Sequence, residues 1–542
     1  MFINFSDIPT HQNLFLDYIY EPDNVERFYG KNFRDVEKYQ PFFQRISERE
    51  MPNRSAVANI IKAQYSNQKM SKQTQQNIDL LYSEKTIAVV TGQQLGIFVG
   101  PLYTFFKSIT AIKLCSYLKE NYDGFNFVPI FWLEGDDHDY EEVRTSSILN
   151  NENQILNLLY DDGQLEEVNR GSIAELKFNA NLEKTINDLA AGLRDTEFKV
   201  PLLDFVKSIY QPDKTFLETF REMMIRLFDE FGLIVFNPTD QAVKRLLVPI
   251  FSKEITEFGN HTSFLVERSA ELEDLYHAQV KVKPINLFYV EEHERLSVEP
   301  TDTGEYRLKG KRKKFSREEL LAQLELNPEK FSPNVLLRPI CQDYLFPTAF
   351  YVGGPGEISY FAQVSPLYKI YGIEEPFIYP RSSATIVEKG VQTILEKNNL
   401  EYVDIFTEEN ALIQKILAAS SEINLETLFQ NASNEIDASL DPLAQKLPVI
   451  DKTLSDLMTK SKQRIEETLT YLKTKAHDSE KRKYESTIRQ ISKVRNVLFP
   501  NNNLQERELN WLYFANKYGM DIVKWMFNEL AVNKFEHQIL EL

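Results

Sequence analysis

A chain of 542 residues with 42% hydrophobic and 26% charged residues is too long for one core and too apolar for wholesale disorder, so roughly three folding units are expected. Its 62 basic against 80 acidic residues leave a net charge of −18, a surface that repels nucleic acid and anionic lipid, so any anionic ligand must be met by a local basic pocket. Two cysteines, Cys115 and Cys341, exclude a disulfide framework and a thiolate zinc site. The N-terminus MFINFSDIPTHQ has no basic or apolar signal region, and no window approaches the roughly 18 to 20 apolar residues of a membrane span; a soluble cytoplasmic protein is expected.

Residues 1–85 read as mostly helical, with a polar helix around Ile60 to Leu81. That helix holds Lys69-Met70-Ser71-Lys72, the tetrapeptide with which class I aminoacyl-tRNA synthetases grip ATP. It precedes the first strand instead of following the catalytic ones and is read as coincidence.

The chain is organised around residues 86–107, TIAVVTGQQLGIFVGPLYTFFK. Ile87 to Val90 suits a parallel strand covered on both faces. Gly92, Gln93 and Gln94 break that run, Gly96 and Gly100 permit positive φ or close approach, and Pro101 fits the first position of a helix from Leu102 to Tyr117. A helix N-terminus aimed at a strand end is a place for an anionic ligand, although this is neither a G-x-G-x-x-G nor a Walker loop. Tyr103 and Lys107, four apart, share one side of the helix.

A second apolar run, Val128 to Glu134, contains Trp132 and opens into Gly135-Asp136-Asp137-His138-Asp139. Ionisable side chains crowded at a strand end are costly unless they meet a ligand, water or one another, which makes Asp137, His138 and Asp139 the candidate acid–base residues. The bland alternatives are Asp139 as a helix cap and His138 as a satisfied structural histidine. No second histidine or matching motif supports a metal at Asp136, His138 and Asp139.

Residues 145–230 and 241–330 read as insertions. The first is polar and helical, with Leu182, Ile186, Leu189 and Leu193 at helical spacing. The second ends in a hairpin whose Lys309, Lys311, Arg312, Lys313 and Lys314 form either a solvated tip or a loop over an anion. Between them Phe231 to Asn237 reads as a third strand, with Asp240 just beyond. Val335 to Leu337 reads as a fourth, followed by Arg338, Gln342, Asp343, Tyr351 and the turn Gly353-Gly354-Pro355-Gly356-Glu357. Phe377 to Arg381 reads as a fifth. Strands separated by helical insertions imply an α/β, Rossmann-like parallel sheet, with residues 1–385 as one split domain.

Residues 386–500 change character: no glycine lies between Gly390 and Gly519, and Leu443, Leu447, Ile450, Leu454 and Leu457 step in heptads. Ile465, Leu469, Leu472 and Ala476 repeat the rhythm, and Tyr484, Ile488, Ile491, Val494 and Leu498 resume it. One helix over 449–497 would reach about 73 Å; the polar run Lys475 to Lys483 allows two antiparallel helices instead. An exposed seam calls for a partner, so a homodimer is expected. Residues 501–542, with Trp511, Leu512, Phe514, Ile522, Trp525 and Met526, are too apolar for a tail and should pack on the core.

TGQQLGIFVGPLYTFFK (91–107), FWLEGDDHDYEEV (131–143), TAFYVGGPGEISYFAQ (348–363) and LFPNNNLQERELN (498–510) each resemble, in the right order, a block of the bacillithiol biosynthesis cysteine-adding enzyme family, the cysteine ligases. The stretches between resemble it only in length and character. The resemblance implies a nucleotidyltransferase-like Rossmann core with two insertions, and a ligase that joins cysteine to the amine of glucosaminyl malate in the last step of bacillithiol biosynthesis. A carboxylate is a poor electrophile, so this reaction needs activation, a base for the amine and fixed donors for the oxyanion. ATP or another nucleotide would suit the activation, and no motif identifies one. Arg338 and Arg381 are the candidate forks for malate carboxylates, with pairing to Glu357 the alternative for Arg381. Strand ends 91–100, 134–139, 240, 338–343 and 353–357 are expected to line one cleft. The competing reading is a non-catalytic dimeric scaffold that binds a metabolite and recruits partners through its coiled coil; the polar residues at three strand ends favour the enzyme.

Overall fold

Five parallel strands form the central sheet: β1 (Thr86–Gln94), β2 (Asn126–Glu134), β3 (Ile234–Phe236), β4 (Thr348–Gly353) and β5 (Phe377–Pro380), in the spatial order β5-β4-β1-β2-β3. Ile87 to Val90 are fully buried, as a strand covered on both faces requires. The chain steps outward from β1 through β2 to β3 and then returns to the opposite side of β1. The switch point of the sheet therefore lies between β1 and β4, where ligand crevices of open parallel sheets form. In a computed structural model describing residues 1–9, 11–420, 425–483 and 485–542, the chain divides into two units, 1–386 with 503–540 and 387–502 with 541–542.

The fourth strand is not at Val335 to Leu337. Asn334 Oδ1 accepts hydrogen bonds from the Leu336 and Leu337 N–H groups, both at 3.0 Å, and turns the chain into helix Arg338–Leu345. Strand Phe331–Pro333, just before it, belongs to an antiparallel sheet of the second insertion, with Leu287–Glu291, Glu294–Pro300, Tyr306–Leu308 and Lys314–Phe315. On that sheet Lys313 pairs with Glu291 at 2.7 Å, Lys314 with Glu305 at 2.9 Å and Lys311 with Glu294. None of the five basic hairpin residues lines the cleft described below. The first insertion opens with an unexpected hairpin, Thr145–Leu149 against Ile155–Leu159, before its helices. Ser71 caps helix Lys72–Leu80 by accepting from Thr74 N–H at 3.1 Å, which gives the synthetase-like tetrapeptide a structural role.

In the second unit, helices Leu425–Ile450 and Leu454–Lys483 run antiparallel, with Lys462 2.8 Å from Asp437 and Lys473 2.6 Å from Glu426. The reversal falls at Asp451 to Thr453 and not in Lys475 to Lys483, through which the helix continues. A charged run does not end a helix. Pro448 removes an N–H, and Asp451 Oδ1 accepts from Thr453 N and Oγ1 at 2.9 and 2.8 Å, which sets the turn and rules out one helix over 449–497. Leu443, Leu457, Tyr471 and Leu472 stay exposed. Tyr484 of the predicted seam lies outside the described residues.

Candidate active site

A cleft of about 610 Å³ opens at the carboxyl ends of β1, β2 and β4, a volume typical of small-molecule sites. Gly92, Gln93 and Gln94 of β1 reach it, as do Trp132 and Glu134 of β2 and Asp137 and His138 just beyond. Helix α1 (Tyr103–Asn121) contributes Tyr103 and Lys107, helix α2 (Arg338–Leu345) Arg338, and the start of helix α3 (Pro355–Tyr371) Gly354 and Glu357, with Tyr351 and Arg381 from the strand ends.

Gly92 sits opposite Trp132, where an added Cβ would come within 2.8 Å of the Trp132 carbonyl. The buried Lys107 Nζ donates to Gly92 O at 3.0 Å and Gln93 Oε1 at 2.9 Å, and pairs with Glu357 at 2.5 Å. Glu357 also accepts from Gly354 N–H at 2.8 Å and Tyr351 O–H at 2.5 Å. Burial pushes its carboxyl up, but Lys107 and these hydrogen bonds hold it below the usual range.

Arg338 donates to Gln342 Oε1 and Tyr360 Oη, both at 3.0 Å, and its Nε lies 3.6 Å from Glu134 Oε2. Gln342 donates to Asp343 at 2.8 Å, and Asp343 accepts from Tyr368 O–H at 2.6 Å; both residues stand behind Arg338 and do not line the cleft. Arg295, from strand Glu294–Pro300, donates from Nη1 to His138 Nδ1 at 2.8 Å and from Nη2 to Pro333 O at 2.9 Å. A guanidinium only donates, so His138 Nδ1 is the acceptor and its ring proton sits on Nε2. Burial pushes the Asp137 carboxyl up, yet hydrogen bonds from the His138 backbone N–H at 2.7 Å and the Gln94 amide and the Arg295 charge outweigh it and hold Asp137 below the usual carboxylate range.

Several predicted residues lie elsewhere. Asp139 is an exposed cap on helix Tyr140–Val143, accepting from Glu142 N–H at 3.2 Å, and Asp240 caps helix Gln241–Leu246 through Ala242 N–H at 2.9 Å. Gly353 lies beneath Arg381, whose N–H donates to its carbonyl at 2.9 Å. Gly96 and Gly100 flank a turn where Phe98, Val99 and Gly100 have φ of 55°, 75° and 71°. Asn510 holds that turn by donating to Phe98 O and Gly100 O at 3.1 and 2.7 Å, and Trp511 Nε1 adds a bond to Phe98 O at 3.2 Å. Leu102 N–H donates to Leu509 O at 3.0 Å, so the start of α1 is engaged by the late block. Arg381 pairs with Glu506 at 2.7 Å and not with Glu357, while Asp136 is buried against Lys244 at 2.6 Å.

Sequence reading missed Glu142, Lys281, Lys283, Arg295, Asn334, Tyr360 and Arg507. Val280 exchanges hydrogen bonds of 2.8 and 2.9 Å with the Gln363 amide, which anchors the irregular segment that carries Lys281 and Lys283. Seven cations, Lys107, Lys281, Lys283, Arg295, Arg338, Arg381 and Arg507, then face four carboxylates, Glu134, Asp137, Glu142 and Glu357, a local positive surplus in a chain of net charge −18. Lys281, Lys283 and Arg507 make no ion pair among the described residues. Among those residues no cluster of His, Cys, Asp or Glu is arranged to hold a metal, and no helix is long and apolar enough to cross a membrane.

A five-stranded parallel sheet with a cation-rich cleft at its switch point defines a Rossmann-like α/β protein. The N-terminal Rossmann-like domain of bacillithiol biosynthesis BshC matches residues 1–382, and the BshC C-terminal coiled-coil domain matches residues 384–542. The chain belongs to the BshC family. It is 33% identical over 529 residues to the protein named "Putative cysteine ligase BshC" from Salinibacter ruber, covering 97% of this chain and 96% of that one. The protein of the same name from Chloroherpeton thalassium is 32% identical over 543 residues, again covering 97% and 96%. A solved structure described as a "putative arginyl t-RNA synthetase" from Campylobacter jejuni spans 81% of this chain and 98% of its own, at 9% identity and a TM-score of 0.21, too low to bear on the fold.

Proposed function

We propose that this protein is a cytoplasmic ligase that joins cysteine to the amine of glucosaminyl malate, the last step of bacillithiol biosynthesis. The observation that carries the reading is the cationic surplus of the cleft, with Lys281, Lys283 and Arg507 unpaired among the described residues. A malate group brings two carboxylates and cysteine a third, and an otherwise acidic protein needs such a pocket to hold them. In this reading Arg338 and Arg381 are positioned by Gln342, Tyr360 and Glu506 to meet carboxylates. His138 offers an Nε2–H donor, Asp137 orients the His138 segment, and Gln93, Gln94, Tyr103 and Gly354 supply neutral contacts. The cysteine carboxylate must also be activated, with ATP or another nucleotide as the class of reagent. The exposed Leu443, Leu457, Tyr471 and Leu472 support a homodimer through the helical hairpin.

Thiol profiling of a strain lacking this gene tests the reading. The expected result is loss of the cysteine-bearing thiol with accumulation of glucosaminyl malate, both reversed by the wild-type chain. An unchanged thiol pool would contradict it.

A further inference from the structure

We propose that Glu134 is the base that takes a proton from the acceptor amine, an inference that rests on the ligase reading above. Glu134 ends β2 and borders the cleft beside Trp132, two residues earlier on the same face of the strand. Its Oε2 is shut off from solvent and accepts no hydrogen bond among the described residues; Arg338 Nε, at 3.6 Å, is beyond hydrogen-bond reach. The Trp132 indole N–H is also buried and has no acceptor among those residues. Buried polar atoms without a partner are costly in a folded protein, and at the lining of a cleft they mark groups that a ligand would complete.

The other candidate bases nearby, Glu142 apart, are already engaged. Glu357 is bound to Lys107, Tyr351 and the Gly354 N–H. Asp136 is paired with Lys244, and Asp139 caps a helix. Asp137, held below the usual range, is too weak a base, and His138 Nδ1 already accepts from Arg295. Glu142 remains, exposed at the rim. Around Glu134 itself, burial is the strongest influence and raises the carboxyl; Arg338 and Arg295 oppose that, Asp136 and Asp137 reinforce it, and the result is about 7. A base of that strength suits removal of a proton from an ammonium group near neutrality.

The step balances within the site. The substrate arrives as an ammonium, one proton passes to the Glu134 carboxylate, and the products are a neutral amine and a neutral carboxylic acid. The freed nitrogen lone pair then attacks the activated cysteine carbonyl: the C–N bond forms, the bond from that carbon to the phosphate oxygen of the activating nucleotide breaks, the phosphate leaves with the electron pair, and the second nitrogen proton departs with it.

The test follows thiol formation from glucosaminyl malate and cysteine across pH, in extract of the deletion strain, which supplies the activating reagent. Purified wild type, Glu134→Gln, Glu134→Asp and Glu142→Gln are added separately. Wild-type kcat/KM should fall about tenfold per pH unit below about 7. Glu134→Gln should lose roughly 10²- to 10⁴-fold in kcat at little change in KM and lose the acidic limb; an acidic limb lost in Glu142→Gln instead would give the role to Glu142 and overturn the proposal. A Glu134→Gln variant within threefold of wild type, or one that keeps the acidic limb, overturns the role. If melting shows that Glu134→Gln is unfolded, Glu134→Asp decides: it should keep an acidic limb at a shifted midpoint, and an unshifted one overturns the proposal. Wild type that forms no thiol in this extract overturns the ligase reading and this role with it.

Discussion

The two walls of the cleft use the same residue types to opposite effect. On one wall Glu357 meets Lys107, Tyr351 O–H and Gly354 N–H, so a buried charge is matched and ties α1, β4 and α3 together. On the other, Glu134 has an oxygen with no hydrogen-bond donor and Trp132 a donor with no acceptor among the described residues. The matched wall fixes geometry; the unmatched wall holds polar groups ready for a ligand at a standing cost in stability.

The largest effect should come from breaking the matched wall. Lys107→Ala leaves Glu357 buried beside an empty place, and chemical denaturation should show a loss of about 3 to 5 kcal/mol. A loss below about 1 kcal/mol would show that the Lys107 pair is not structural, and the contrast between the walls would collapse.

The unmatched wall should respond in the opposite direction. Because Glu134 is raised to about 7, the folded state favours its protonated form. Its destabilising contribution is absent below the unfolded value near 4.5 and grows as pH rises toward and through 7. Glu134→Gln should therefore match wild-type stability at pH 4.5 and exceed it by about 1 to 3 kcal/mol at pH 8. A variant less stable than wild type at pH 8 would mean that Glu134 is a structural group.

Smaller effects sharpen the account. Replacing Lys281 and Lys283 together by alanine should raise KM for glucosaminyl malate about tenfold, roughly 1.4 kcal/mol, with kcat nearly unchanged, since these lysines stand away from the reacting bond in the proposal. An unchanged KM would remove them from substrate binding. Leu457→Asp, at an exposed hairpin position, should weaken the proposed dimer by about 1 kcal/mol and leave the Rossmann-like unit folded. Light scattering that finds wild type monomeric would refute that partner surface.

The parallel sheet was legible because Ile87 to Val90 and Val128 to Glu134 are apolar runs that end abruptly in polar turns, which is the local signal of a buried strand. Short runs are ambiguous, and at Val335 to Leu337 an Asn334 side-chain cap converts an apparent strand into a helix entry. The hairpin reverses at Pro448 and the Asp451 turn, a signal of two residues that is locally fainter than the long charged run Lys475 to Lys483. Lys281, Lys283 and Arg295 reach the cleft only through packing of the second insertion, and nothing local marks them. The partner of Arg381 is likewise remote: Glu506 lies 125 positions away, while Glu357, which the sequence offered, is taken by Lys107.

The account is tested most directly by a crystal structure with glucosaminyl malate bound. It should place the amine within about 2.6 to 3.2 Å of a Glu134 carboxylate oxygen, with the malate carboxylates on the cationic side chains of the cleft. A ligand bound outside the cleft, or one whose amine points away from Glu134, would contradict it.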